Sequence, residues 1–306
     1  MRRTFDAFAF AAAAVFAAAV VWVAKRNSHF ITDDFAGFYL IETEPFLKVA
    51  LTPIDVHFVP LHRFVNQLIH PIAPLDFGVA LAVLAVFHGI AVVTLYATLR
   101  QLKDSPVNAV LVFFYATNVY LGVLFLWWTS GLHRLPYIAF AIATVYHYVK
   151  YRRGRSRRSL LFAAACFAAA LGFYSKAALI PATLLGVEVC LLRGTPRRQL
   201  AENLIVISTF LAAAVLYAVF TRAMIDSAFT QVHLDAGFLL DFERRSFAIL
   251  SEGVFGVVYR GLAKPMNAVL FAFWLGRSNL ICYLFFGSNR GRYRHCWCRH
   301  RLRSYA

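Results

Sequence analysis

The sequence predicts an all-α protein, a polytopic transmembrane helical bundle with about eight spans. Three observations point that way. Hydrophobic residues make up 60% of the 306-residue chain and mean hydropathy is +0.63, where soluble domains are about 45–50% apolar. Charged residues are only 15%, too few to cover a soluble core of this size, for which about a quarter is usual. The bases also fall in short clusters between apolar runs rather than in one stripe. The net charge of +16 therefore reads as membrane topology and not as a nucleic-acid surface. A soluble enzyme, a disordered tail and a disulfide-rich secreted module are all excluded. Cys166, Cys190 and Cys282 sit inside apolar runs, where cysteine acts as a small hydrophobe.

The first apolar run, 5–24, follows Arg2 and Arg3 and ends Val-Trp-Val-Ala-Lys-Arg. It is longer than a signal-peptide core and lacks a small-residue cleavage site, so it reads as a retained helix. Further runs lie at 77–99, 107–128, 135–149, 159–174, 177–192, 204–220 and 266–286. A crossing needs about 20 residues at 1.5 Å per residue. The stretch 159–192 is too long for one span and short for two. It reads as a tight helical hairpin turning at Tyr174-Ser175-Lys176, with Pro181 early in its second limb, where a missing amide proton costs little.

Orientation follows from the bases. With the N-terminus inside, the inner segments hold 19 of the 31 Lys and Arg, six of them between Lys150 and Arg158. The outer segments hold 11, and Arg277 lies within the last run. The N-terminus is expected to be cytoplasmic. Ten acids, from Asp33 to Glu252, fall in two long outer loops at about 25–75 and 222–265. Both loops are longer than connectors need and are expected to carry interfacial helices and the chemistry. In the second, Phe229, Val232, Phe238, Phe242 and Phe247 alternate with charge, as in a helix lying in the interface.

The first loop opens with the adjacent carboxylates Asp33 and Asp34 before the apolar stretch 35–40. Two readings fit: a general base whose pKa is raised by its neighbour and by burial, and a helix N-cap. Asp55, His57, His62 and Arg63 follow. Their spacing matches no familiar zinc pattern, and an interfacial segment with its polar side chains in water explains them equally. Trp127-Trp128 closes the third run as an aromatic belt ahead of His133 and Arg134, and Lys176 caps the hairpin. A lysine between apolar helices either snorkels or meets a partner. The topology gathers all these groups on the outer side. Carboxylates beside cations at a lipid surface suit an anionic lipid substrate, the cations neutralising phosphate while a carboxylate takes a hydroxyl proton.

A first span followed by an outer loop with an acidic pair resembles the GT-C glycosyltransferases, polytopic enzymes such as the protein O-mannosyltransferases and the lipid A aminoarabinose transferases. The segment from Arg157 through Gly172-Phe-Tyr-Ser-Lys176-Ala-Ala-Leu-Ile-Pro181 is similar to that family's basic inner loop, short helix and Ser-Lys-Glu turn. Pro60-Leu-His-Arg63 is similar to a stretch of its bacterial members. The match covers about residues 1–220 and departs from the pattern where Ala177 replaces the Glu. The resemblance implies sugar transfer from a polyprenyl-phosphate donor to a protein, lipid or glycan acceptor on the outer face of a bacterial inner membrane. Asp33 or Asp34 would be the base. Lys176, Arg134, His133 and Arg63 would bind the donor phosphate, with His57 and His62 auxiliary. No cofactor is implied, and a divalent metal stays open. The alternative is a non-enzymatic transporter or flippase-like protein for an anionic lipid. That reading needs polar groups at the bilayer midplane, where only His88, His147 and Glu188 stand. The GT-C-like domain is expected over 1–286. The basic tail 287–306, with Cys296-Trp-Cys298, departs from everything before it and reads as a non-native ending.

Overall fold

The computed structural model describes residues 2–54, 57–191 and 196–225. The chain divides into two units, Met1–Val232 and His233–Ala306; the described residues all belong to the first. The second outer loop beyond residue 225, the run 266–286 and the tail therefore lie outside the described residues.

Among the described residues the regular structure is helical, apart from one isolated β-bridge. A long helix α1 (Arg2–Asn27) is followed by three short ones, α2 (Thr32–Thr43), α3 (Phe46–Leu51) and α4 (Pro60–Ile69). These three fill the first of the two long loops. Then come α5 (Phe77–Leu102), α6 (Val107–Ala116), α7 (Val119–Leu124) and α8 (Trp128–Gly154). The order ends with α9 (Arg157–Phe173), a 3₁₀ turn (Ser175–Leu179), α10 (Ile180–Leu191) and α11 (Arg197–Met224).

Among the described residues, three helical stretches are long and apolar enough to cross a membrane: Asp6–Asn27, Phe77–Leu102 and Arg197–Met224. Only 22% of the apolar window in the last is buried within the protein, leaving Ile205, Leu216 and Val219 exposed. Such continuous apolar faces suit lipid rather than water.

Of the eight expected spans, those at 5–24, 77–99 and 204–220 coincide with these stretches, 266–286 lies outside the described residues, and 107–128 is built differently. The run 107–128 is broken after Ala116, and α7 is a separate six-residue helix. Trp128 begins α8 instead of closing the third run, so the helix expected at 135–149 starts seven residues earlier. The apolar pattern of 107–128 could not show this, because periodicity does not register a chain reversal between two apolar segments. The reversal is tight. At Gly131 a Cβ would stand 2.3 Å from the Leu124 carbonyl oxygen and 2.7 Å from Leu84 Cδ1, so only glycine lets α7, α8 and α5 approach this closely.

The long helix α8 holds the unit together, packing along α5 on one side and α9 on the other. Towards its start, Trp128, Leu132 and Leu135 pack with Ala24, Phe38, Leu81, Leu84 and Phe173. Towards its end, Tyr148 joins Phe167, Leu171, Leu184, Ile207 and Phe210 from α9, α10 and α11. A smaller cluster of Ala13, Val92, Val112 and Ala116 fastens α1 and α6 to α5.

Candidate functional site

The start of α8 is also where the polar residues of the loop between α1 and α5 arrive. Asp34, at the third position of α2, is fully buried. One of its oxygens accepts from the Ile31 backbone N–H at 2.9 Å, satisfying an amide at the start of the helix. The other accepts from the Thr129 backbone N–H at 2.8 Å and from the Thr129 hydroxyl. Asp34 thus fastens α2 to α8 across 95 residues of sequence. The capping reading holds for Asp34, reaching back from inside the helix rather than from the N-cap position. Its neighbour Asp33 is exposed.

A reciprocal backbone pair, Ile54 N–H to His57 O at 2.9 Å and His57 N–H to Ile54 O at 2.8 Å, fixes His57. Asp55 lies outside the described residues. His57 Nδ1 is 2.6 Å from Ser175 Oγ in the 3₁₀ turn. Its ring meets Tyr174 edge-on at 5.1 Å and His133 at 6.1 Å. Tyr174 in turn lies nearly parallel to His133 at 6.0 Å. Contact between α4 and the end of α9 positions this turn, because Gly172 admits Leu61: a Cβ on Gly172 would stand 2.6 Å from Leu61 Cγ.

Pro60 begins α4, where its missing N–H is not needed, and the first turn presents His62 and Arg63. His62 is buried against His133, ring centroids 4.0 Å apart. Neither ring nitrogen of His62, nor Nε2 of His133, meets a hydrogen-bond partner among the described residues. Both rings lie outside the apolar stretch 135–149. Burial, then His133 and Arg63, holds His62 well below the ordinary histidine value. Burial, then His57, Arg63 and Arg134, pushes His133 down to about 3. Both are neutral imidazoles near pH 7.

Arg63 is buried and donates to the carbonyls of Thr52 and Pro53, at 3.4 Å each. This braces the loop carrying His57. Lys176 and Arg134 are exposed at this end, the Lys176 ammonium standing 5.5 Å from the Tyr174 ring centroid. The predicted residues therefore separate into two layers. Asp34, His57, His62, Arg63 and His133 form an interlocked base, while Asp33, Arg134 and Lys176 are open.

Thr129, Tyr174 and Ser175 were not foreseen as parts of this arrangement. Ser175 had a signal, since it adjoins Lys176; Thr129 and Tyr174 gave none, because their roles depend on partners distant in sequence. Asn66 and Trp128 extend the base, the indole N–H donating to Asn66 Oδ1 at 2.9 Å. Among the described residues no three His, Cys, Asp or Glu side chains are arranged to hold a metal ion.

Glu188, one of the few polar residues within the apolar runs, does not join this site. It is buried near the opposite end of α8 and accepts from Arg152 Nε at 2.9 Å, the Tyr148 hydroxyl at 2.8 Å and Asn203 Nδ2 at 3.2 Å. No family model and no curated protein matches this chain.

Proposed function

We propose that this chain is a multi-pass membrane glycosyltransferase-like protein of the GT-C kind, its N-terminus in the cytoplasm of a bacterial cell. It moves a sugar from a polyprenyl phosphate to an acceptor at the outer face. One observation carries the reading. Four segments remote in sequence, around Asp33, His57, His133 and Lys176, meet at one end of the bundle, with a carboxylate and two cations left open around a buried histidine base.

In this reading Asp33 takes the proton from the acceptor hydroxyl as its oxygen bonds to the anomeric carbon. The bond from that carbon to the phosphate oxygen breaks, and its electron pair leaves with the polyprenyl phosphate. Lys176 and Arg134 stabilise the charge that collects there. Attack opposite the leaving group inverts the anomeric centre. Asp34, His57, His62, His133 and Arg63 support the site by positioning the loop and the 3₁₀ turn. The transporter alternative is weakened because Glu188, one of its three polar groups, is already committed to Arg152 and Asn203.

The test is release of polyprenyl phosphate from lipid-linked sugars by the purified full chain, compared with Lys176→Gln. A lost charge-assisted hydrogen bond to phosphate is worth about 1.5–3 kcal/mol. Lys176→Gln should lower donor use at least about tenfold with expression unchanged. Release by neither protein, or donor kinetics identical in both, would overturn the reading.

A further inference from the structure

Beyond the outer site, the opposite end of α8 carries a surface that the transfer reading leaves unused. There the end of α8, the start of α9 and the start of α11 meet, held by buried polar ties. Glu188 accepts from Arg152 and Asn203. Arg155 donates to Asn203 Oδ1 at 2.6 Å and pairs with Glu202, and Gln199 Nε2 donates to the Arg152 carbonyl at 3.1 Å. Arg155 holds a left-handed backbone, φ 51°, which turns the chain sharply between α8 and α9.

The two carboxylates within these ties are committed. Glu188 faces Arg152, and Glu202 is shared by Arg155 and Arg198. The ties bring Arg153, Arg157, Arg158 and Arg197 to the same end, all exposed and none with a carboxylate partner among the described residues. The surface beyond them turns apolar at once. Leu161 is 69% exposed and lies three residues after Arg158; Ile205 is 67% exposed and lies two turns into α11. At 1.5 Å per residue, that places bare hydrocarbon about 5–12 Å below the guanidinium-bearing backbone. This is the depth over which a bilayer passes from headgroup to acyl chain.

We infer that the α8–α9 turn and the start of α11 together form a binding surface for anionic phospholipid headgroups, with acyl chains lying on the exposed faces of α9 and α11. Charge alone would suit any polyanion. The adjoining apolar faces select a lipid, because a nucleic acid or acidic peptide offers nothing to cover Leu161, Phe162 and Ile205. The inference depends on this end lying at a membrane interface and is independent of any sugar-transfer activity.

The experiment titrates the purified full chain in neutral detergent micelles with fluorescent phosphatidylglycerol and, separately, with fluorescent phosphatidylcholine. Near an anionic surface each base contributes about fivefold. We expect phosphatidylglycerol to bind at least about tenfold more tightly, with the preference falling as salt is raised to 0.5 M. The variant carrying Arg153→Gln, Arg157→Gln, Arg158→Gln and Arg197→Gln should bind the two lipids alike. Equal binding of both lipids by the wild type would overturn the inference, as would a preference unchanged by salt. A 20-nucleotide oligonucleotide displacing phosphatidylglycerol at equal concentration would also overturn it, assigning the surface to polyanions in general. The wild-type salt and competitor arms decide the matter even if the fourfold variant fails to fold.

Discussion

The imidazoles of His62 and His133 stand with ring centroids 4.0 Å apart, joined from α4 and α8 across 70 intervening residues. Two cationic rings could not occupy that arrangement. Burial and the nearby Arg63 keep both neutral, so the base of the candidate site is formed only while they stay unprotonated.

That pairing makes stability depend on pH. Both rings have folded-state values below the unfolded value of 6.5, His133 down to about 3. Below pH 6.5 the unfolded chain therefore binds protons that the folded chain refuses. Stability is complete above about pH 6.5 and falls with pH by up to about 1.4 kcal/mol per unit for each ring, towards pH 3 for His133. Charges at His57, Arg63 and Arg134 act in the same direction. Thermal unfolding between pH 7.5 and 5 should show the loss, and His133→Gln should reduce its slope. An equal slope in that variant would exclude this pair as its source.

Asp33 and Asp34, adjacent in sequence, should respond differently to the same change. Asp33→Asn should lower transfer about 10²–10⁴-fold with little effect on unfolding. Asp34→Asn should cost about 1.5–3 kcal/mol, because its charge-assisted bond from the Thr129 amide is weakened and one buried oxygen becomes a donor facing donors. Melting and turnover measured on both variants separate the roles.

Gly131→Ala should be more damaging than Gly172→Ala. At Gly131 the new methyl meets a backbone carbonyl at 2.3 Å, which cannot move without shifting α7. At Gly172 it meets the Leu61 side chain at 2.6 Å, which has rotamer freedom. Overpacking of the first kind costs about 1–3 kcal/mol. Equal melting temperatures for the two variants would mean that the chain between α7 and α8 is free to yield.

Glu188→Gln should destabilise by about 3–5 kcal/mol, since it removes the buried carboxylate charge that faces the mostly buried Arg152 guanidinium. Glu202→Gln, at a residue 44% exposed, should stay within about 1 kcal/mol. Denaturant unfolding of the two variants in matched detergent gives the comparison.

The all-helical class and the three membrane-capable helices were legible in the sequence because each rests on local quantities: apolar run length, composition and the placing of bases. The hairpin turn at Tyr174–Lys176 was legible for the same reason, a polar break in an apolar stretch. What only the tertiary structure decided are the roles that depend on a distant partner. Asp33 and Asp34 are chemically identical in sequence, yet Thr129, 95 residues on from Asp34, buries one and leaves the other in the open. Glu188 lies in an apolar run, and only the fold of α8 against α10 and α11 brings it to Arg152. The division of 107–128 into two helices was hidden because both halves are apolar and the reversal before Trp128 needs only one small residue, Gly131, at the point of contact. Local composition fixes what a segment tolerates around it; which partner a polar side chain meets is set by packing between segments that the linear order keeps apart.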